Sequence, residues 1–580
     1  MTTWALACNP VSSLRDRDVI AIGVSGIDHT DLAIGLTKWI DRSHFEEFPY
    51  SAKGVSDVLK ATLDSASEAR FAVVELGYFD IDSRSEQAAI SAWQSSLHQS
   101  THTERVHLFQ RAMPLDGLMR LLSLSPEDEF SPDEASFIAG YLGYIVLRRD
   151  RFRITCGRTL IRPPESHERL HLDRSFANRV RTAVSEEVNL FGLRLVAAGV
   201  PFIEQDGHVT VCAHAAAWMA HYTAVLRGLI PRIPVGEFHD IAARSGATTY
   251  PYPSPGLLDA QVFAVLDEVG LPPQVTYISD LEEPARAHPL ARAHLADESQ
   301  SVHWLEENFT SAVARYLNSG LPVLIATTDG EAGPHVMVAC GYIRSSALRD
   351  GTVATGDDPV VALIVNDDAR GPYTIQMVGE LLLEMTSDDP IIVPLPPGVY
   401  LRGQVAELFG ADSLHDAAAM VENSALGSQV SRSAASKVLF DLKTRQLASR
   451  SYLAESGEFK ASFAMRCQDH SARRIVALAS LPRYIWVVEV IDRRLRSARP
   501  QLHPVIGEVI LDASAVSLAT SEVVLLHIPG YIASLNRRTG AQLKAECAST
   551  APYPSGRWRH LGQDRWPASD LARRVKMVGR

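Results

Sequence analysis

The sequence predicts an α+β protein of about three domains. One reason is length: 580 residues are too many for a single compact core. The other is order. In the middle of the chain, helix-spaced apolar residues give way to short apolar runs, as expected for helices packed on a mostly antiparallel sheet.

The elements support this in turn. Residues 1–165 read as a mixed α/β domain, with β-type runs Val19–Val24 and Phe71–Leu76 bounded by polar residues and a helical stretch at Ala88–Ser96. Gly143–Leu147 and Phe152–Thr155 read as a strand pair that stops at Arg162-Pro163-Pro164, a plausible boundary. In residues 166–408, Val302, Leu305, Phe309, Val313 and Leu317 have helical spacing and end at Asn318-Ser319-Gly320. Pro322–Ala326, His335–Tyr342, Val360–Val365 and Tyr373–Met377 then read as strands, and Ile391–Leu401 as a strand and rigid turn. Residues 409–580 read as β-rich, with strands at Tyr484–Val490 and Val523–Ile528 after a small, polar stretch at Ser424–Ser436, and close in a polar tail.

Composition narrows the function. Hydrophobic residues make up 46% and charged residues 21%, an ordinary globular balance. A net charge of -12 argues against nucleic acid as the main partner, because phosphate binding needs a basic surface. No apolar run is long enough for a membrane span, and MTTWALACNP lacks the features of a signal peptide, so a cytoplasmic location is expected. Six scattered cysteines form no CxxC pair, so neither a disulfide framework nor a zinc knuckle is indicated. No phosphate-loop or dinucleotide glycine pattern occurs, and no cofactor is expected.

Three segments carry chemistry when read together. Cys212 precedes Ala213-His214-Ala215-Ala216-Ala217 and an apolar helix, which puts it at a helix start, where unpaired N–H groups and the dipole favour a negative charge. His335 leads a strand ending in Gly341-Tyr342, a rigid and partly open mount for a base. A buried-looking strand ends in Asn366-Asp367-Asp368, and Asp367 is placed to orient the histidine. Cysteine, histidine 123 residues later and aspartate 32 residues after that is the order expected of a thiol hydrolase triad of this kind.

These segments resemble the C39-like branch of the papain-like cysteine peptidases, over about residues 199–377. The resemblance implies a papain-like core, in which a helix carrying Cys212 packs on an antiparallel sheet carrying His335 and Asp367. It also implies thioester catalysis and cleavage of a peptide or isopeptide bond in a protein or peptide substrate. Gln205 is then the side-chain half of the oxyanion hole, although it lies seven residues before Cys212, slightly farther than the pattern. Two further departures are Ala213 where the pattern has Gly and Asp368 where it has Pro. A transamidase or acyltransferase would use the same triad, and an inactive module of the same fold would bind without cleaving. The long flanking regions suit substrate recruitment and a regulatory protein partner.

Other residues read more plainly. Cys340 lies mid-strand and reads as core, as do Trp218 and Met219. His214 and His221 lie two helical turns apart, too far for one ion, His208 just precedes Cys212, and no HExxH motif occurs, so no metal is assigned. Asp357-Asp358 and Asp388-Asp389 read as solvated turns.

Overall fold

The computed structural model describes residues 19–23, 29–47, 55–93, 103–124, 128–149, 153–166, 176–205, 211–245, 257–282, 298–328, 333–345, 359–423, 432–433, 435–436, 439–440, 447–492, 504–516, 523–528, 530–535, 542–546 and 553–554. The opening MTTWALACNP, His208, Asp357-Asp358, most of Ser424–Ser436, Cys547 and most of the polar tail lie outside the described residues. The fold is α+β with several antiparallel sheets, and among the described residues no helix is long and apolar enough to cross a membrane.

The first sheet takes β1 (Val19–Gly23), β2 (Phe71–Tyr78), β3 (Thr103–Phe109), β4 (Tyr141–Arg149) and β5 (Ile154–Ile161) in chain order. Between them run α1 (His29–Glu47), α2 (Asp57–Ser65), α3 (Ile81–Trp93), α4 (Leu115–Ser123) and α5 (Pro132–Ala139). Helices and strands mix here as expected, but every pairing is antiparallel. A hairpin follows, β6 (Val184–Leu190) and β7 (Leu193–Gly199). Phe191 and Gly192, with φ of 50° and 99°, make its two-residue turn, the geometry that matches the twist of paired strands.

Helices then gather: α6 (Cys212–Leu226), α7 (Val235–Ser245), α8 (Asp259–Glu268), the short α9 (Ile278–Glu282) after β8 (Pro273–Tyr277), and α10 (Glu298–Asn318). Gly320, at φ 74°, stops α10 with a left-handed residue just past its end. The second sheet adds β9 (Val323–Thr327), β10 (His335–Arg344), β11 (Val360–Asp367), β12 (Gly371–Met377) and, after α11 (Val378–Leu383), β13 (Pro390–Pro394). Its order is β12-β11-β10-β9-β13-β8, antiparallel throughout. Asp389 is not a solvated turn residue. It is 4% exposed and accepts hydrogen bonds from the N–H groups of Thr328 at 3.2 Å and Thr386 at 2.6 Å, which ties the end of β9 to the start of β13.

After α12 (Gly403–Asn423) comes the third sheet, β14 (Leu447–Glu455), β15 (Tyr484–Asp492), β16 (Pro504–Asp512), β17 (Val523–Ile528), β18 (Tyr531–Leu535) and β19 (Gln542–Glu546), with β20 (Tyr553–Pro554) paired to β16. This region was read as β-rich. It also holds α13 (Ser456–Arg466) and α14 (His470–Leu478) between its first two strands.

Apolar clusters show how the layers stack. One face of the first sheet packs on α4, α5 and the hairpin. The opposite face shares a single core with α1, α2, α6, α7, α8 and one face of the second sheet, through residues from Leu32 to Ile392. The far face of the second sheet joins α10, α12 and the third sheet. The expected boundary near residue 165 therefore falls where β5 ends, while the core runs across it.

Buried polar contacts lock α6 to the N-terminal region. Arg158 of β5 reaches Asp80 at 3.3 Å, Glu186 and Tyr222 of α6 at 2.8 Å each, and the Tyr78 hydroxyl at 2.6 Å. Asp82 accepts from the Trp218 indole at 3.3 Å, from the Val235 N–H at 3.1 Å and from Arg232 at 2.6 Å. Unpaired, such buried charges would cost several kcal/mol; here each has partners.

Candidate active site

Cys212 is the first residue of α6, and the preceding Val211 offers no side-chain cap. The first N–H groups of the helix are thus left without a side-chain acceptor from their cap, and the positive end of the dipole lies at the sulfur. Behind Cys212, alanines at 213, 215, 216, 217 and 220 let α6 lie close to the second sheet. Ala213, the departure from glycine, is 3% exposed, so its methyl group is packed into the protein. Cys212 itself is partly exposed, whereas Cys156, Cys340 and Cys467 are buried.

Topology brings the other two residues together. β10 and β11 are antiparallel neighbours with Val338 opposite Asn366. The start of one and the end of the other therefore lie at the same end of the sheet, and these positions are His335 and Asp367. His335 Nε2 lies 3.0 Å from Asp367 Oδ1. An interaction with the Cys212 side chain adds to the proton affinity of the ring, and with Nε2 engaged by the carboxylate, Nδ1 is the nitrogen left for the thiol.

Electrostatics favour a charged histidine. Burial alone would lower the His335 proton affinity. Hydrogen bonds to Asp367 and Cys212, with the charges of Asp367 and Asp368, outweigh it and push His335 up to about 10. Asp367 moves the other way: burial would raise it, but the bond to and charge of His335, the Ala369 N–H at 2.9 Å and Arg370 hold it below the usual carboxylate range.

Asp368, read as one of the carboxylates at this strand end and as a departure from a turn proline, does more. It is 0% exposed, its Oδ1 lies 3.8 Å from His335 Nε2, and neither carboxylate oxygen has a hydrogen-bond partner among the described residues. Burial pushes it up to about 7, with the His335 charge opposing and the Asp367 and Glu204 charges adding. Glu204 is likewise pushed up to about 7 by burial, against the Cys156 N–H, Arg148 and Ser56.

The segment before Cys212 runs beside β5. Phe202 exchanges two 2.9 Å backbone bonds with Thr159, and Glu204 N–H donates to Cys156 O at 3.0 Å. The Glu204 carboxylate accepts from the Cys156 N–H at 2.8 Å and the Ser56 hydroxyl at 2.9 Å. This brings Gln205 to the end of the described segment, where its carbonyl accepts from Arg153 at 3.2 Å. Gln205 is partly exposed, and residues 206–210, which join it to Cys212, lie outside the described residues.

Two further residues, given no role in the sequence reading, hold this segment to the strand that carries Asp367. Asn366 donates from Nδ2 to Pro201 O at 2.9 Å and accepts from Tyr373 N–H at 3.1 Å. The Tyr373 hydroxyl accepts from Val200 N–H at 2.9 Å and donates to Ile161 O at 2.6 Å. Tyr373 adopts φ 57°, a conformation that costs a non-glycine residue about 1–3 kcal/mol and persists only where its surroundings hold it. The Asn-Asp pair at the strand end was the available signal for Asn366; the role of Tyr373 had none.

The described histidines of α6, His214 and His221, have partners elsewhere. His214 stacks on His239 with ring centroids 5.1 Å apart, and burial lowers it to about 3. His221 is also lowered by burial, to about 4, and its Nε2 lies 3.1 Å from Pro231 O. Trp218, Met219 and Cys340 are core. Among the described residues, His335, Asp367 and Asp368 are a set able to hold a metal ion, with donor atoms within 4.8 Å of one another.

No protein-family model matches the chain, and no curated protein or solved structure matches it either.

Proposed function

We propose that the chain is a papain-like cysteine hydrolase of the C39-like type that cleaves a peptide or isopeptide bond in a protein or peptide substrate. The observation that carries this reading is one set: a partly exposed cysteine at a helix start whose side chain raises the proton affinity of a histidine, and the Nε2 of that histidine 3.0 Å from a buried carboxylate. A helix carrying the cysteine against an antiparallel sheet carrying histidine and aspartate supports the papain-like core.

In the reaction so read, His335 takes the proton from Cys212, and its raised proton affinity lets it hold that proton as the sulfur attacks the carbonyl carbon. The new C–S bond moves an electron pair onto the carbonyl oxygen. The uncapped N–H at Cys212, joined by Gln205, stabilises that oxyanion. Collapse breaks the C–N bond, and His335 gives its proton to the leaving amine. Water, deprotonated by His335, then hydrolyses the thioester. Asp367 holds the ring orientation and the imidazolium throughout.

The test is labelling by iodoacetamide at graded pH in the wild type, Cys212→Ala and His335→Ala, with the site read by mass spectrometry. Selective labelling of Cys212 near neutral pH, lost without His335, is the expected result and opens a screen of peptide and isopeptide substrates. Slow labelling spread over all accessible cysteines and unchanged in His335→Ala would defeat the reading.

A further inference from the structure

We propose that His335, Asp367 and Asp368 form a site for one divalent transition-metal ion of the zinc type, and that its occupation switches the catalytic histidine off. The regulatory half of this rests on the hydrolase reading above; the metal site itself does not.

Three observations converge. The donor atoms lie within 4.8 Å of one another, with Nε2 3.0 Å from Asp367 Oδ1 and 3.8 Å from Asp368 Oδ1. Zinc–nitrogen and zinc–oxygen bonds of about 2.0–2.2 Å put tetrahedral ligand atoms about 3.3–3.6 Å apart, a range these two separations bracket. The second observation is Asp368, a fully buried carboxyl group facing Nε2 with both oxygens unpartnered among the described residues. Buried polar groups are almost always bonded, so an unpartnered carboxyl needs a physical reason.

The third is charge. His335 and Arg370 both stand beside Asp367, whereas Asp368 has only the His335 ring, 3.8 Å away, as a cationic neighbour among the described residues. A divalent ion, two carboxylates and a neutral imidazole sum to zero. One imidazole with two carboxylates suits zinc, cobalt or manganese, whereas magnesium and calcium favour oxygen ligands alone.

Binding also determines what happens to the base. The ion takes the Nε2 lone pair, so the Nε2 proton leaves to solvent. The neutral ring then carries its single proton on Nδ1, the nitrogen left for Cys212, and has no lone pair there to take the proton of the thiol. Asp367 is drawn onto the ion at the same time. The sulfur is left without its base.

The experiment uses the full chain stripped of metal by chelator, titrated with Co²⁺ followed by absorption and with Zn²⁺ followed by calorimetry, in the wild type, Asp368→Asn and Cys212→Ala. Thermal melts confirm that each variant is folded, and Asp368→Ser replaces Asp368→Asn if the latter fails to melt cooperatively. The expected result is one ion per chain in wild type and in Cys212→Ala, no thiolate-to-cobalt band, and binding weaker by at least about tenfold without the Asp368 carboxylate. Zn²⁺ should also slow iodoacetamide labelling of Cys212 in the wild type, reversibly on chelation. No binding up to about 100 µM, equal affinity without Asp368, or loss in Cys212→Ala would overturn the site. Binding without slowed labelling would overturn the switch. Labelling that ignores His335 would sink the hydrolase reading, while the cobalt and calorimetric results still decide the metal site.

Discussion

Replacing Asp367 by asparagine keeps the shape of the side chain and an oxygen that can accept from His335, but removes the charge. Hydrogen bonds to charged groups contribute about 1.5–3 kcal/mol and neutral ones about 0.5–1.5, so the substitution should cost the transition state about 1–2 kcal/mol. At about 1.4 kcal/mol per tenfold, this is roughly a 5- to 30-fold loss in the rate of thiol labelling and in turnover. The pH dependence should move as well. Asp367 is one of the groups that hold His335 up at about 10, and the burial that opposes it remains in the variant. The pH at which His335 gives up its proton must therefore fall, and with it the alkaline limb of the labelling profile. The assay is the iodoacetamide rate against pH for both proteins. A rate within about twofold of wild type with an unmoved alkaline limb would refute the role of this carboxylate.

Asn366→Ala removes two bonds and strands the Pro201 carbonyl and the Tyr373 N–H, with an expected cost of about 1–3 kcal/mol in denaturant unfolding and a fall in turnover while Cys212 stays labelled. Gly199→Ala would drive a methyl against Ile161 O and to 2.9 Å from the Tyr373 hydroxyl, so it should lower stability by about 1–3 kcal/mol, read as a lower melting temperature. Arg158→Met leaves Asp80 and Glu186 without their buried cation and should destabilise by about 3–5 kcal/mol in the same unfolding assay. Asp368 is raised from 3.8 to about 7 in the folded state, so its contribution to stability is fullest below about 4 and is lost as pH rises through about 7. Asp368→Asn should flatten that fall, with Glu204 supplying the remainder, and unfolding free energies measured across this window will decide it.

The positions of Cys212, His335 and Asp367 were legible because each sits where a local rule puts it. A run of small helix formers marked the start of α6 at Cys212, and apolar runs ending in polar turns marked the ends of β10 and β11. Antiparallel pairing then brings His335 to Asp367 without help from distant residues. The roles of Asp368, Asp389 and Tyr373 are set by packing between segments far apart in the chain, and a carboxylate in a turn looks solvated until the fold covers it. The helices α13 and α14 were hidden by the strong strands around them. Asp469, which accepts from the N–H groups of Ser471 and Ala472, was a start signal for α14 that went unread. The antiparallel first sheet was likewise beyond reach, since alternating helices and strands are compatible with either pairing.

The core that passes from the first sheet through α6 to the second sheet limits how this protein can be dissected. A fragment beginning after β5 would carry Cys212, His335 and Asp367, yet it would lose the partners of Phe202, Glu204 and Trp218 and the Arg158 contact of Tyr222, and bare the apolar flank of the cysteine helix to water. Such a fragment should aggregate rather than react. The same dependence sets an order of events during synthesis. The expected consequence is that the amides of α6 stay open to hydrogen exchange until β2–β5, α1 and α2 are in place.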